Sequence, residues 1–331
     1  MTIGVQASPT QVKLDPDERH YRIAGLHQGS SLFLRRLAPK LARGQPAVLY
    51  VHGATFPSAL SIAYRFDGRA WRDALCAAGF DVWALDFHGF GGSDPYPEML
   101  RPAELSQPLG RVVDACTQLE AAVRFIADRR NGQRLSIIAH SWGSMVAGRL
   151  AALAPDLLQR LVFFGPITRR FKTLRPQHLP GWRLISLADQ WQRFTEAVPA
   201  KAAPVLSRRQ FAAWGECYLA GDPDSRSRSP AAVKVPSGPF QDIFDAWAGQ
   251  FPYDAALLKL PVAIIRGEWD NYCTDADAHW LFDALAASPM RRDIKIGRGT
   301  HLMHLEAMRG ALYRESIAFL SGADEPALGE Q

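Results

Sequence analysis

At 331 residues, 47% of them apolar, the chain has material for one large domain or two smaller ones and the composition of an ordinary globular protein. No apolar run approaches the ~18 residues needed to span a bilayer, and the first twenty residues lack the basic-then-apolar order of a signal peptide. The net charge of +5 is carried by residues 167–252, where 12 Lys and Arg stand against 7 Asp and Glu; the basic residues are dispersed, which argues against nucleic-acid binding and reads first as a solvated face.

In chain order, residues 1–18 read as a flexible start and 21–37 as one or two early strands. Ala47-Val48-Leu49-Tyr50-Val51 is a buried strand that runs into His52-Gly53. Phe66, Ala70, Trp71, Ala74 and Leu75 line one face of a helix that stops at Gly79. Residues 80–85 form the next strand, ending at Asp86, and residues 110–130 form a helix with Val112, Cys116, Leu119, Val123 and Ile126 inward. Leu135-Ser136-Ile137-Ile138-Ala139 is a strand, and residues 145–161 space Met145, Val146, Leu150, Leu153, Leu157 and Leu158 at helical intervals. Residues 161–164 and 262–265 are two further strands, and 293–296 a weaker last one, before a helix with Leu305, Met308 and Leu312.

Strands alternating with helices predict a mostly parallel sheet covered by helices. The roughly ninety residues between strands 161–164 and 262–265 lack strand character and are rich in aromatics, among them Trp182, Trp191, Phe194, Phe211, Trp214, Tyr218, Phe240, Phe244 and Trp247. They read as a helical cap inserted at 167–252, with residues 221–239 a mobile loop. The core is then 19–166 with 253–322, and 323–331 a flexible tail. The aromatics either line a pocket for an apolar or aromatic substrate or form the cap's own small core. Four scattered cysteines without a C-x-x-C pair read as reduced thiols, which fits the cytoplasm.

The most informative stretch is Ala139-His140-Ser141-Trp142-Gly143, between a strand and a helix. A serine on that sharp turn has its hydroxyl pushed above the sheet edge, and the turn needs small residues on both sides, here Ala139 and Gly143. A serine hydroxyl is a poor nucleophile at neutral pH and requires a base and a group to orient it. In α/β sheets ligands collect at the carboxyl ends of the strands, and Asp270 and His301 each follow a strand. Their rivals are Asp275, Asp277 and His304. Thr274 with Asp277 has the spacing of a helix capping box, and His304 reads as a packing or surface residue. The same acids with His279 match no metal-ligand spacing, and no cofactor is expected: Gly89-Phe90-Gly91-Gly92 lacks the dinucleotide pattern and reads as a tight turn.

His52-Gly53, residues 86–93 (Asp-Phe-His-Gly-Phe-Gly-Gly-Ser), residues 139–143, and Gly267-Glu268-Trp269-Asp270 followed by Gly299-Thr300-His301 and Glu306 occur in one order. With these the chain resembles the α/β-hydrolase superfamily, in its capped serine-hydrolase form, over residues 20–320. The resemblance implies an α/β-hydrolase fold: a mostly parallel eight-stranded sheet flanked by helices, with an inserted helical cap. It implies a Ser141–Asp270–His301 triad, an oxyanion hole of the backbone N–H groups of Ala54 and Trp142, and structural roles for His52, Gly53 and Gly143. Aspartate-dependent dehalogenases and epoxide hydrolases drop out because the nucleophile position holds Ser141. Trp142-Gly143-Ser144 is similar to proline-releasing aminopeptidases, but Ala54-Thr55-Phe56-Pro57 stands where their Gly-rich loop would be. The expected activity is hydrolysis of a carboxylic ester or lactone of a small, largely apolar molecule. Alternatives are carbon–carbon hydrolysis, amidase or aminopeptidase activity, lyase or acyltransferase chemistry on the same triad, or a non-catalytic ligand-binding relative. Arg169, Arg170 and Arg175 are candidate partners for a substrate carboxylate. The partner is a small molecule, with neither nucleic acid nor membrane expected; oligomeric state does not follow from sequence.

Overall fold

The computed structural model describes residues 15–40, 46–171 and 178–322. The flexible start expected at 1–18 lies outside the described residues over 1–14 and is corrected at its end, where Glu18 opens a strand; the expectations for 323–331 and Arg175 also lie outside the described residues. β1 (Glu18–Ala24) and β2 (Ser31–Leu37) are an antiparallel pair at one edge, so the early segment is two strands. β3 (Ala47–Val51) follows, then α1 (Trp71–Ala77) and β4 (Asp81–Asp86). Phe66 lies outside α1, because Asp67 (φ 50°) and Gly68 (φ 81°) turn the chain before the helix begins. Gly79, at φ 100°, ends that helix in the left-handed backbone that glycine adopts freely.

α2 (Val112–Asp128), β5 (Leu135–His140), α3 (Trp142–Leu153) and β6 (Leu158–Phe164) come next. α3 ends eight residues earlier than its apolar rhythm predicts. Ala154 precedes Pro155, whose ring disfavours helical backbone at the residue before it, and Ala154 adopts φ −140°, ψ 64°. Leu158 is therefore the first residue of a strand.

The stretch between β6 and the next strand of the main sheet corrects the all-helical expectation. β7 (Trp182–Ser186), α4 (Leu187–Thr195), α5 (Arg208–Ala220), β8 (Ala232–Pro236) and α6 (Gly238–Trp247) occupy it, and β7 pairs with β8 as a separate antiparallel ribbon. Residues 221–239 are structured, not a loop. Asp222 accepts from Lys234 N (2.9 Å) and Arg228 Nη1 (2.6 Å), and Ser225 Oγ donates to Leu219 O (2.6 Å). Phe194, Trp214 and Tyr218 are buried, with Trp214 stacked on Tyr218 at 5.1 Å; these aromatics make a core for the segment.

The chain then re-enters the sheet with β9 (Val262–Gly267), α7 (Asp275–Ala284), β10 (Arg291–Ile296) and α8 (Arg309–Ser321). Leu305 sits in a separate short 3-10 turn before α8, because Glu306 is extended (φ −124°, ψ −178°). The eight-stranded sheet has the order β1-β2-β4-β3-β5-β6-β9-β10, with β2 antiparallel to its neighbours and the other pairs parallel. β3, β4, β5 and β9 are buried throughout, as strands covered on both faces must be. Alternate residues feed two apolar layers. Leu49, Val51, Ile137 and Ala139 pack with α2 and α3, while Val48, Tyr50, Ile138 and Ile265 pack with α1 and α8.

Candidate active site

Five parallel strands end at one rim of the sheet, and each delivers a residue there. β3 leads to His52-Gly53-Ala54, β5 to Ser141, β6 to Gly165, β9 to Asp270 and β10 to His301. Ser141 has φ 56°, ψ −127°, a strained backbone that holds its side chain off the sheet axis. The strain is held by backbone on both sides. Ser141 N donates to Phe164 O (2.9 Å), and Ser141 O accepts from Ser144 N (2.9 Å) and Ser144 Oγ (2.6 Å).

The neighbouring glycines are steric necessities. A Cβ on Gly143 would stand 2.5 Å from His52 O and 2.9 Å from Val51 O, so it is the end of β3 that demands a small residue after the turn. A Cβ on Gly53 would stand 3.1 Å from Ser141 Cβ. His52 donates from Nδ1 to Gly53 O (2.7 Å) and accepts at Nε2 from Phe87 N (3.1 Å), so both ring nitrogens are spent on loop backbone. The Gly89-Phe90-Gly91-Gly92 turn wraps Asp86, which accepts from Gly92 N (3.0 Å) and Ser58 N (2.8 Å).

The three residues singled out around the serine meet. His301 Nε2 lies 2.8 Å from Ser141 Oγ, and His301 Nδ1 lies 3.0 and 3.1 Å from the two Asp270 oxygens. Asp270 is itself fixed by Tyr272 N and Cys273 N, both 2.9 Å from Oδ1. Ser141, Asp270 and His301 are only 2, 4 and 2% exposed, so the constellation is closed over. Beside it, Trp142 N–H is in the first turn of α3, where no helical acceptor exists, and Ala54 is buried in the loop after β3. The rival acids are elsewhere. Asp275 pairs with Arg266 (2.5 Å) and Lys295 (2.9 Å), and Asp277 closes the Thr274 capping box.

The sequence profile of the alpha/beta hydrolase family matches residues 48–315. The chain belongs to that family. No curated protein matches it. Among solved structures it is similar to the thioesterase domain of the curacin biosynthetic pathway, at 14% identity and TM-score 0.60 over 90% of this chain and 98% of that one. It is similar to a haloalkane dehalogenase variant from Bradyrhizobium elkanii, at 20% identity and TM-score 0.56 over 92% and 97% of the two chains. It is also similar to a monoacylglycerol lipase from Paleococcus ferrophilus, at 18% identity and TM-score 0.56 over 87% and 98%. At these identities the likeness is one of fold.

Gly165 and Tyr272 of this alpha/beta hydrolase line the site without having been singled out from sequence, and His140, Glu306 and His304, named there only within motifs or as a rival, take definite places beside it. A Cβ on Gly165 (φ 51°) would stand 2.8 Å from Asp270 Oδ2 and 3.0 Å from His301 Nδ1. His140 Nε2 donates to His301 O (3.0 Å), tying the residue before the serine to the backbone of the histidine. Tyr272 stacks on the His301 ring at 4.6 Å. Glu306 accepts from Thr300 N (3.0 Å) and Thr300 Oγ1, bracing the turn that carries His301, and burial pushes its carboxyl up to about 7. His304 is buried against His140, Phe164 and Phe56, and burial, then the neighbouring His301, push its imidazole down to about 3. The single signal for Gly165 and Tyr272 in sequence is nearness to the motifs.

The arginines proposed as carboxylate partners have other work. Arg170 is spent on Asp277 (2.5 Å) and on the carbonyls of Asn271 and Tyr272 (3.3 and 2.9 Å). The Arg169 guanidinium lies over the rings of Phe171 (4.7 Å) and Trp280 (5.3 Å).

Proposed function

We propose that this alpha/beta hydrolase cleaves a carboxylic ester or lactone of a small, largely apolar molecule through an acyl-enzyme on Ser141. The observation that carries the reading is the 2.8 Å contact between His301 Nε2 and Ser141 Oγ, backed by Asp270 on the far nitrogen. His301 takes the hydroxyl proton as Ser141 Oγ bonds to the carbonyl carbon, and Asp270 holds the Nδ1–H tautomer and stabilises the imidazolium. The oxyanion takes hydrogen bonds from Trp142 N–H and Ala54 N–H, each donor contributing a factor of about 10² to 10³ in kcat. The carbon–oxygen bond to the leaving group breaks as His301 returns the proton to that oxygen. Water then loses a proton to His301, attacks the acyl carbon and releases the acid, restoring Ser141.

Residues 167–252 serve as the cap over a core of 19–166 and 253–322, and the Tyr272 ring stacked on His301 supports an apolar substrate. Two of the similar structures are by name a thioesterase domain and a monoacylglycerol lipase, which supports acyl transfer as the chemistry. Four unpaired cysteines support a reducing, cytoplasmic setting. Among the described residues no helix is long and apolar enough to cross a membrane.

The test is covalent labelling with a fluorophosphonate probe, together with hydrolysis of a short and a long 4-nitrophenyl ester, for wild type and Ser141→Ala. Loss of labelling and a fall of about 10⁶ in kcat in the variant are expected if the three residues act as a unit. A wild type that takes no label would overturn the reading.

A further inference from the structure

We infer that the cap carries an anion-recognition subsite built on Arg193 and Gln190 of α4, and that the acyl substrate bears a carboxylate or a similar anionic group. The inference rests on the hydrolase reading for the reacting group, but its own support is separate.

Gln190 is 0% exposed; its side chain lies against the Tyr218 hydroxyl, and among the described residues neither its oxygen nor its nitrogen makes a well-formed hydrogen bond. A buried amide in that condition loses its hydration without return, at a cost that native interiors ordinarily avoid. Arg193 follows three residues later, so the two side chains leave the same face of α4. Its Nε and Nη1 are also buried without a partner, and among the described residues no carboxylate lies within 4.0 Å of its guanidinium. Arg183 of β7 is a second half-buried guanidinium without an ion pair among the described residues; it stacks on Phe240 at 4.5 Å, and burial and then the Arg193 charge both act against its own. Asp189, whose charge partly offsets that repulsion, is held in the N-terminal cap of α4 by Ser186 N (2.8 Å) and Ser186 Oγ (2.7 Å). Two cations thus lie close enough to repel one another, with unspent donors on Arg193 and no ion-paired anion among the described residues. A largely buried guanidinium with unspent N–H groups on two of its nitrogens is suited to an anion, to which each can donate a charge-assisted hydrogen bond.

The subsite is next to the chemistry. The Arg193 charge acts on Tyr272, whose ring stacks on His301 at 4.6 Å, and on His140, the residue before Ser141. One turn beyond Arg193, Glu196 accepts from Asn271 Nδ2 (3.0 Å), which fastens the end of α4 to the loop that carries Asp270. On its other side Phe194 packs on Trp214 (5.5 Å), and Trp214 on Phe56 of the loop after Ala54 (5.2 Å). α4 is thereby fixed between the two loops that flank the Ser141 hydroxyl. An anionic group held there leaves the scissile carbonyl of a short chain over the serine.

The experiment compares mono-(4-nitrophenyl) glutarate with its methyl ester, which differ in one negative charge. Equilibrium binding of both is measured on Ser141→Ala, so that no turnover is needed. The free acid is expected to bind at least tenfold more tightly than the methyl ester at low salt. Arg193→Gln in the same background is expected to remove that discrimination, and Arg193→Lys, which keeps the charge but not the spread of donors, to restore part of it. Equal binding of acid and ester by the Ser141→Ala protein overturns the subsite, and needs no substitution in the cap. Discrimination that survives Arg193→Gln in a folded variant overturns it equally. Fluorophosphonate labelling of the wild type reads the hydrolase proposal by itself. Acid discrimination without labelling retires the triad and sustains the subsite, and labelling without discrimination does the reverse.

Discussion

Trp142 donates its indole Nε1–H to Asp242 Oδ2 at 2.8 Å, joining residues 100 positions apart. The same carboxylate accepts from Val112 N (2.7 Å) at the start of α2 and from Arg111 Nε (2.5 Å). One buried acid on α6 therefore holds the residue after the serine, a core helix and the inserted segment in a fixed relation. The backbone N–H assigned to the oxyanion belongs to that same tryptophan.

Asp242→Ala should strand the indole and the Val112 amide, at about 1–3 kcal/mol for each buried unsatisfied donor, while the partly exposed Arg111 regains water. A net loss of about 2–4 kcal/mol in urea unfolding is expected, with slower labelling of Ser141 as α3 and the cap lose their common anchor. Unchanged stability and labelling would mean the contact is incidental.

Asp270→Asn should leave the fold standing, since the amide oxygen can still accept from Tyr272 N and Cys273 N. It no longer selects the His301 tautomer that presents a bare Nε2 to the serine. A drop in kcat of about 10⁴ with little change in melting temperature is expected. A drop below tenfold would show that another group orients the histidine.

Gly165→Ala separates the site from the core. The new methyl stands 2.8 Å from Asp270 Oδ2, and φ 51° is itself costly for alanine. We expect a loss of about 1–2 kcal/mol in stability and a disproportionate fall in turnover, because the methyl pushes on the acid and the histidine together. Turnover that tracks stability alone would refute the steric account.

Glu306 makes stability depend on pH. Burial raises its carboxyl from 4.5 to about 7, so the folded chain holds that proton more tightly than the unfolded one. Its contribution is fully present below pH 4.5 and is lost as pH rises through 7. Glu306→Gln should flatten the melting temperature between these limits relative to wild type. An identical slope in both proteins would assign the dependence to other groups.

Most of the sheet was legible because its strands are continuous apolar runs between turn residues, and the serine turn because a strand, small residues and a helix adjoin it. The histidine and acid were legible through their positions after β10 and β9. What failed was local pattern overruled by distant contacts. Leu157 and Leu158 continue a helical rhythm, but Pro155 has already ended α3. Residues 221–239 look like a loop until Asp222 collects Arg228 and Lys234. Arg170 looks free until α7 brings Asp277 across 107 residues to claim it. Arg193 gave no sign of its surroundings, since burial of a guanidinium with no carboxylate beside it among the described residues is a property of the packing around it.

The convergence of five strand ends has a consequence for folding. Ser141 and His301 are 160 residues apart in sequence, and each hangs from its own strand, with β6 and β9 between. No contiguous fragment short of most of the sheet brings them within reach. Enzymatic turnover is therefore a global order parameter for this chain. It should vanish in the same cooperative transition that melts the sheet, and a partly folded species that retains helices will be silent.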